Sequence, residues 1–451
     1  TLLGGMVTSV NRALDQPYLE DFMVRNAFTA GIDFTQYFKN RLYYIDVKGM
    51  LSSLHGSAGA ITALQNSVAH YYQRASSADY LGVDPTRRSL TGTGGYVKVG
   101  RKGNAKWNFS ETFTWSSPGF DLNDMGYMKE TDYLMNETEI MYRQTDIWKI
   151  FRYNAFTLSQ KNMWNYGGTP FSNNASLRWQ SMTMNRYEWD VKETFAWNWL
   201  DSRLLRGGPD VRFGSYFLTS AKFNTDKAKR MMFMLKYEGD HNFEGNRFNT
   251  ISPSLTFRLG NHVYLSGQLD YAWNTDEMQY VATTSPLSSS SLTPYYYVMG
   301  HMDQKTYGLT LKLQVNVTPD ISIQFYGAPF TSIAKYDDFK LAADTKSHTF
   351  ENRFQRIDPD QLTYADGVYT IGEGAGQMPF RNPDFRFNEF RSNLVARWEY
   401  LPGSTLYFVW EHRMSNRDNW YSSGWGSNLD RMWGLPATNT FMIKMNYWFN
   451  L

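Results

Sequence analysis

The chain closes with the stretch Thr440-Phe441-Met442-Ile443-Lys444-Met445-Asn446-Tyr447-Trp448-Phe449-Asn450-Leu451. Because successive side chains of a β-strand point to opposite faces, one face carries Phe441, Ile443, Met445, Tyr447, Phe449 and Leu451, and the other carries Lys444, Asn446 and Asn450. An amphipathic strand that runs to the last residue is typical of an outer-membrane β-barrel, whose last strand closes against the first. Its alternation is also similar to the signal that the barrel-assembly machinery reads. The stretch predicts an all-β fold, a transmembrane antiparallel β-barrel of the bacterial outer membrane.

Composition supports this prediction. Of 451 residues, 15 are Trp, 31 Tyr and 30 Phe, yet the mean hydropathy is −0.52. A chain that is rich in large rings and polar on average suits a wall with one face toward lipid and one toward water. No apolar run approaches the roughly 18 residues that a transmembrane helix requires. If the chain spans a membrane, we expect a barrel.

The sequence offers little for enzyme chemistry. It contains no cysteine, which excludes disulfides, thiolate metal sites and cysteine nucleophiles. Its seven histidines form no His-Glu-x-x-His motif, so a zinc hydrolase lacks its ligands. The formal net charge of +2 provides no field to attract nucleic acid. We expect no enzyme, no cofactor, no metal and no nucleic-acid partner.

Eight short turns divide the chain into alternating strands. They lie at Lys39-Asn40, Lys102-Gly103-Asn104, Gln144-Thr145-Asp146, Asn185, Asp226-Lys227-Ala228, Gly260-Asn261, Pro319-Asp320 and Pro402-Gly403. Between them lie longer connections, the largest being roughly 56–89, 274–302, 332–384 and 415–437. Eight turns and about nine loops predict about 18 strands, with the long loops outside the cell and both termini in the periplasm.

We expect one barrel domain over residues 1–451. The chain opens at Thr1 without an initiator Met, so an upstream periplasmic domain is expected to be missing from this sequence. The 332–384 connection is too long for a passive connector, and we expect it to fold over or into the mouth of the barrel. A short helix is predicted within 60–68.

Tryptophans are spaced as membrane interfaces require. Trp107 and Trp115 share a face eight residues apart, as do Trp189 and Trp197. On strands tilted near 40°, each pair spans roughly 20 Å of membrane height. The four rings predict two interfacial girdles.

Charged residues alternate in sign on the faces predicted to point into the lumen. One strand carries Glu389, Arg391, Arg397 and Glu399, and another carries Glu188, Asp190 and Lys192. Such a set forms either a polar binding surface for a solute or a network of compensating ion pairs. The even mixture of signs favours the ion pairs, because a selective pore more often has one sign in excess.

Two glutamates interrupt the lipid-facing pattern. Glu111 in Glu111-Thr112-Phe113-Thr114-Trp115 and Glu193 in Glu193-Thr194-Phe195-Ala196-Trp197 fall in the register of the outward aromatics. A β-bulge that turns each side chain inward is one explanation. The other is that this wall packs against a partner protein.

One segment carries a family resemblance. It runs from Asn382-Pro383-Asp384-Phe385 through Arg397-Trp398-Glu399-Tyr400 to Pro402-Gly403-Ser404, with weaker matches at Val10-Asn11-Arg12 and Gln73-Arg74. These residues resemble an uncharacterised family of Bacteroidota outer-membrane barrels. The resemblance implies a preceding domain similar to family-9 carbohydrate-binding modules and supplies no catalytic residues.

These features favour a non-enzymatic barrel with a loop-occluded lumen. We expect it to be an anchor, or a subunit of a larger outer-membrane assembly for export, surface display or barrel biogenesis. The alternative is a solute channel or carbohydrate-uptake pore, in which Tyr264 and Tyr326 would stack on sugar rings. Expected partners are the lipid bilayer with lipopolysaccharide and outer-membrane proteins or lipoproteins; carbohydrate stays open as a ligand.

Overall fold

The computed structural model describes residues 1–74, 80–124, 126–287, 295–418 and 425–449. Three short helices occur in this part of the chain: α1 (Pro17–Phe22), α2 (Ala58–Gln65) and α3 (Trp425–Trp433). None of the described helices is long and apolar enough to cross a membrane. Short 3-10 turns lie at Phe350–Arg353, Pro359–Gln361 and Gly374–Gly376.

Strands form most of the described chain. They are β1 (Leu2–Asn11), β2 (Asn26–Phe38), β3 (Tyr43–His55), β4 (Ser89–Arg101), β5 (Trp107–Ser116), β6 (Tyr133–Gln144), β7 (Phe151–Trp164), β8 (Pro170–Thr183), β9 (Glu188–Trp197), β10 (Trp199–Asp201), β11 (Val211–Phe213), β12 (Tyr216–Asn224), β13 (Met231–Asn242), β14 (Arg247–Leu259), β15 (Val263–Thr284), β16 (Tyr296–Asn316), β17 (Ile321–Ala342), β18 (Phe354–Arg356), β19 (Leu362–Ala365), β20 (Val368–Ile371), β21 (Met378–Arg381), β22 (Phe385–Leu401), β23 (Ser404–Asp418) and β24 (Ala437–Asn446).

Eighteen of these strands follow one another antiparallel in a single sheet. Their order is β1 to β9, then β12 to β17, then β22 to β24, while the short β18 pairs with the end of β17. This meander has the fold of a transmembrane antiparallel β-barrel, and the predicted count of about 18 strands is confirmed. The described residues form no ladder between β1 and β24.

All eight predicted turns lie where the sequence places them, at one end of the sheet. The first residue of β1 and the last of β24 lie at this same end, since Leu2 pairs near the first turn and Asn446 near the last. The nine connections at the opposite end include the long loops, as predicted. Two of them, 165–169 and 243–246, are short.

Two predicted loops were wrong in extent. β15 continues to Thr284 and β16 begins at Tyr296, so the connection is 285–295 rather than 274–302; β17 continues to Ala342, so the next loop begins at 343 rather than 332. These strands of 22, 21 and 22 residues are about twice the length that crosses a bilayer. Their register shifts after Asp276 and after Met299, which interrupts the alternation that sequence reading depends on. The serine run Ser288–Ser291 predicts a solvated loop tip, and it lies outside the described residues.

The two faces of the sheet differ in chemistry. Leu265, Leu269 and Leu311 are 43%, 50% and 40% exposed on the outward face. The opposite face of the same strands carries polar neighbours such as Ser266 and Lys312, which pair directly. The predicted C-terminal strand is confirmed from Ala437 to Asn446, with Phe441 and Ile443 exposed.

Candidate functional site

The predicted lumen charges lie on the inward face, and all of them except Lys192 form ion pairs with their neighbours. Glu389 accepts from Arg391 at 2.8 Å and from Arg413 at 3.0 Å. Arg397 pairs with Glu399 two residues along the same strand. Each acid among these is matched by a base.

The second predicted charge set behaves similarly on β9. The Arg178 guanidinium donates two hydrogen bonds to the Asp190 carboxylate, one of them from Nε to Oδ1 at 2.7 Å. Glu188 pairs with Lys227 in the turn before β13. Lys192 lies directly opposite Arg178 and Ser220. Fork-shaped pairing of this kind fixes side-chain geometry, so these charges brace neighbouring strands.

Loops pack against the inward face at the long-loop end. Ala27, Leu54 and Leu90 lie side by side on β2, β3 and β4 and bury Ile61 of α2 and Tyr72 beneath the loop. Burial of Leu54, Leu90 and Ile61 contributes about 1.5–3 kcal/mol for each side chain. Burial also raises the pKa of Tyr72 to about 12. The helix predicted within 60–68 is found at Ala58–Gln65.

A second loop lies directly on β4. A Cβ added to Gly92 would come 2.1 Å from the backbone nitrogen of Phe120, so only glycine admits this approach. The Asp121 backbone N–H donates to Ser52 Oγ at 2.9 Å, and Asp121 Oδ2 lies 2.9 Å from Nε2 of the fully buried His70. Segment 117–121 is therefore held on the inner wall.

Buried charge joins these loops to one another. The Asp132 carboxylate accepts from Arg74 and from the Tyr80 hydroxyl, the latter at 2.5 Å. Burial, followed by the Asp132 hydrogen bond and charge, raises the pKa of Tyr80. Because removing one partner of a buried pair leaves the other uncompensated, this contact holds the loops in one arrangement.

Arg203 connects the same loops to the connection after β9. Its guanidinium donates to Val68 O at 2.8 Å and to Glu130 Oε2 at 3.0 Å. Two residues further, Leu205 is buried against Met278 of β15 and Met299 of β16. In the order of the sheet, β15 and β16 are the thirteenth and fourteenth strands. The two partners of Arg203 lie in the β3–β4 and β5–β6 connections, between the third and sixth strands. Six strands, the seventh to the twelfth, lie between these two groups of contacts.

Arg353 connects the loop after β17 to the loops that follow β9 and β13. It donates to both oxygens of Glu244 at 2.8 and 2.9 Å, and also to Arg212 O at 2.7 Å. The Arg353 side chain is 1% exposed. We call the described parts of 56–74, 117–132, 198–215, 243–246 and 343–353 the loop layer.

The loop layer and the neighbouring connection between β1 and β2 line a depression of about 1030 Å³. Its basic residues are Arg12, Lys129, Arg203 and Arg206, and its acids are Asp121 and Asp124. Ligand sites typically occupy about 300–1,000 Å³, so a small solute would fit. Within the described residues, no group of three or more His, Asp or Glu side chains could hold a metal ion.

Glu111 and Glu193 occupy equivalent positions on the outward face. Neither β5 nor β9 has a register shift in its ladders, so the β-bulge explanation was wrong. Thr138 Oγ1 donates to Glu111 at 2.6 Å, and Thr219 Oγ1 donates to Glu193 at 2.7 Å. Each acid lies four residues from a tryptophan on either side, about 10 Å in membrane height.

Four amides that sequence reading missed lie on the same wall. Thr138, opposite Glu111, faces Gln160 of β7, and Asn136, Asn162 and Asn173 lie directly across from one another on β6, β7 and β8. In the part of the chain that the structure describes, none of these four side chains has a hydrogen-bond partner. We call the six outward-facing side chains Glu111, Asn136, Gln160, Asn162, Asn173 and Glu193 the polar wall.

The polar wall is costly against lipid. Moving an amide from water to hydrocarbon without a hydrogen bond costs about 4–8 kcal/mol. A carboxylate at mid-membrane also destabilises a barrel, although less than the about 2–4 kcal/mol of a basic residue. On β15 and β16, the corresponding outward positions are Leu265, Leu269 and Leu311. The outward position of the four amides follows from the registers of β6, β7 and β8, so an assignment of those registers would have predicted it.

Two tryptophans of the predicted girdles are exposed on the same strands as the polar wall. Trp107 is 55% exposed and Trp189 is 40% exposed. Trp115 stacks on Phe113, and Trp197 stacks on Phe195 with centroids 5.8 Å apart. The same Glu, Thr, Phe and Trp arrangement thus occurs twice on the outer wall.

Beyond the level of Trp273, β16 carries a titrating pair. His301 Nδ1 lies 3.0 Å from Glu277 Oε1, and Nε2 lies 3.6 Å from Asp303 Oδ2. Burial lowers the pKa of His301, but the hydrogen bond and charge of Glu277, together with the charges of Asp303 and Asp337, outweigh burial, so the pKa lies above its ordinary value.

This raised pKa predicts a pH-dependent loss of local order. The stabilisation that protonated His301 gives the folded state through its pair with Glu277 should be full below about pH 6.5, the ordinary histidine pKa. It should be lost as pH rises through the higher pKa of His301 in the folded state. Hydrogen exchange of 296–303, corrected for intrinsic rates, should therefore increase with pH in the native chain and stay flat in His301→Gln. Identical profiles would show that the pair contributes nothing.

The eighteen-stranded meander, with an outward apolar face and loops packed on its inner wall, defines a transmembrane antiparallel β-barrel protein. The chain belongs to the family described as a domain of unknown function, DUF5916, whose model matches residues 55–451. No curated protein matches the sequence.

Two solved structures of receptors resemble the chain. The siderophore receptor PirA from Acinetobacter baumannii is 9% identical over 98% of this chain and 73% of the receptor, with a TM-score of 0.42. A mutant of the ferric enterobactin receptor PfeA from Pseudomonas aeruginosa, in complex with enterobactin, is 7% identical over 98% and 73%, with a TM-score of 0.43. At these values, the ligands of those receptors say nothing about the ligand of this chain.

Proposed function

We propose that this protein is a non-enzymatic outer-membrane barrel whose loop layer closes the lumen and which serves as an anchor or subunit of a larger membrane assembly. The carrying observation is the pair of contacts at Arg203 and Leu205. Arg203 contacts the loops that connect the third to sixth strands. Leu205, two residues later, contacts the ends of the thirteenth and fourteenth strands. A layer with these contacts crosses the mouth, so it obstructs an open path.

The inward charges support the same function. Glu389, Asp190 and Glu399 each pair with an arginine on the same or a neighbouring strand. Balanced pairs brace a wall, whereas conduction favours rings of one sign. The long loops and the short turns lie at opposite ends of the sheet. In outer-membrane barrels the long loops are extracellular, which supports an extracellular loop layer and places both described chain ends on the periplasmic side.

The resemblance around Arg397-Trp398-Glu399-Tyr400 extends the proposal. It supports an origin in Bacteroidota and a preceding domain similar to family-9 carbohydrate-binding modules. A barrel that anchors such a domain would hold it at the membrane without needing an open lumen.

Purification from native membranes in mild detergent tests the assembly role. We expect a defined partner to co-purify in stoichiometric amount with the wild-type chain. A barrel that purifies alone, and that opens steadily in a planar bilayer, would overturn the proposal.

A solute channel or carbohydrate-uptake pore is the second candidate, favoured by the depression of about 1030 Å³ that the loop layer helps to line. Tyr264 and Tyr326 face inward, opposite Gln314 and Lys312 respectively. Titration calorimetry with oligosaccharides distinguishes the candidates. Saturable binding that is lost in Tyr326→Ala would favour uptake, and no heat of binding would count against it.

A further inference from the structure

The polar wall conflicts with a lipid environment. Glu111 and Glu193 each lie four residues from a tryptophan on either side, a level that the two predicted girdles place near the middle of the bilayer. Gln160 and Asn162, between them on β7, have no hydrogen-bond partner in the described chain and are at least partly exposed. Hydrocarbon offers these groups nothing to bond with.

We propose that the polar wall is the docking surface for a different integral outer-membrane protein, one that presents hydrogen-bond donors at mid-membrane. This inference rests on the proposed function, because it assigns the surface by which the barrel joins an assembly. The two carboxylates and the amides of Asn136, Gln160 and Asn162 would then exchange an apolar environment for side-chain partners. Asn173 lies directly across from Trp197, at the level of a predicted girdle.

Charge complementarity determines the class of partner. Glu111 and Glu193 each accept one hydrogen bond, from the Thr138 and Thr219 hydroxyls respectively, and retain further acceptor capacity. Hydroxyl, amide or basic side chains on the facing wall would fill it. A lipoprotein held only by its acyl chains carries no such group at this depth, so the partner spans the membrane.

A second copy of this chain fits less well. A two-fold dimer centred on β7 would oppose β5 of one copy to β9 of the other. Glu111 would then face Glu193 of the second copy, acid against acid at the same height. The arrangement favours a partner of different sequence.

Photo-crosslinking in native membranes tests the surface in the full-length protein. A benzophenone amino acid is placed at Gln160, and the control position is Leu311, which is outward and 40% exposed on a strand of the apolar wall. We expect one discrete protein adduct from position 160, whose crosslinked peptide is a membrane-spanning segment with polar side chains, and none from position 311.

Leucine substitutions separate docking from a structural role. The double variant Gln160→Leu with Asn162→Leu should reduce recovery of the partner at least about tenfold, a free-energy change of about 1.4 kcal/mol, while the free barrel unfolds at higher denaturant. The matched control Gln314→Leu makes the same chemical change on the inward face of β16 and should leave recovery unchanged. A destabilised double variant would indicate a structural role and overturn the proposal.

The outcomes distinguish this inference from the proposed function. A stoichiometric partner that crosslinks elsewhere, and not at position 160, refutes the docking surface and leaves the assembly role intact. An adduct of twice the chain's own mass identifies a second copy and refutes a different partner. Lipid adducts alone, with no co-purifying protein, refute both the docking surface and the assembly role.

Discussion

Replacing Arg353 with alanine should release one side of the loop layer. Glu244 would keep its buried position without the guanidinium that bonds both of its oxygens. Breaking a buried pair in this way costs about 3–5 kcal/mol. Hydrogen exchange in 198–213 and 343–353 should therefore accelerate strongly, and protease should cleave there first, because Arg353 also donates to Arg212 O and Ser347 O.

Arg356→Ala is the matched control. Its guanidinium is 72% exposed and lies 3.6 Å from Asp338, so its loss should cost less than about 1 kcal/mol. Equal exchange in the two variants would show that Arg353 does not hold the layer.

Placing a single methyl group on Gly92 should detach the loop from the inner wall of β4. The new Cβ would lie 2.1 Å from Phe120 N and 2.4 Å from the Gly119 carbonyl carbon, both backbone atoms. Since backbone cannot swing aside like a side chain, segment 117–121 has to move, at a cost of about 1–3 kcal/mol. The bond from Asp121 N to Ser52 Oγ should be lost with it.

Gly31→Ala provides the control on the same face, two strands away. Its added Cβ would meet Met50 Cγ at 3.4 Å, an ordinary contact. Exchange of 117–124 should increase in Gly92→Ala and remain at the wild-type rate in Gly31→Ala. A protected segment in Gly92→Ala would mean that the loop does not rest on β4.

The strands and turns could be predicted because their signals are local. Alternation along Thr306 to Val317 and a Pro319-Asp320 turn require only neighbouring residues, and all eight turns were placed. The extensions of β15 to β17 beyond the bilayer were missed, because the register shift after Asp276 breaks the alternation.

The contacts of the loop layer could not be predicted in the same way. Arg203 meets Val68 and Glu130 across 135 and 73 residues of sequence, and nothing near Arg203 specifies either partner. The outward register of Glu111 and Glu193 was visible in the sequence. The choice between a bulge and a flat ladder depended on the neighbouring strands.

Planar-bilayer recording of the full-length wild-type chain tests most directly whether the loop layer closes the lumen. We predict no large steady openings for the wild type, and openings that appear in Arg353→Ala but not in Arg356→Ala. Large, steady conductance of the wild-type barrel would contradict a closed lumen and favour a channel.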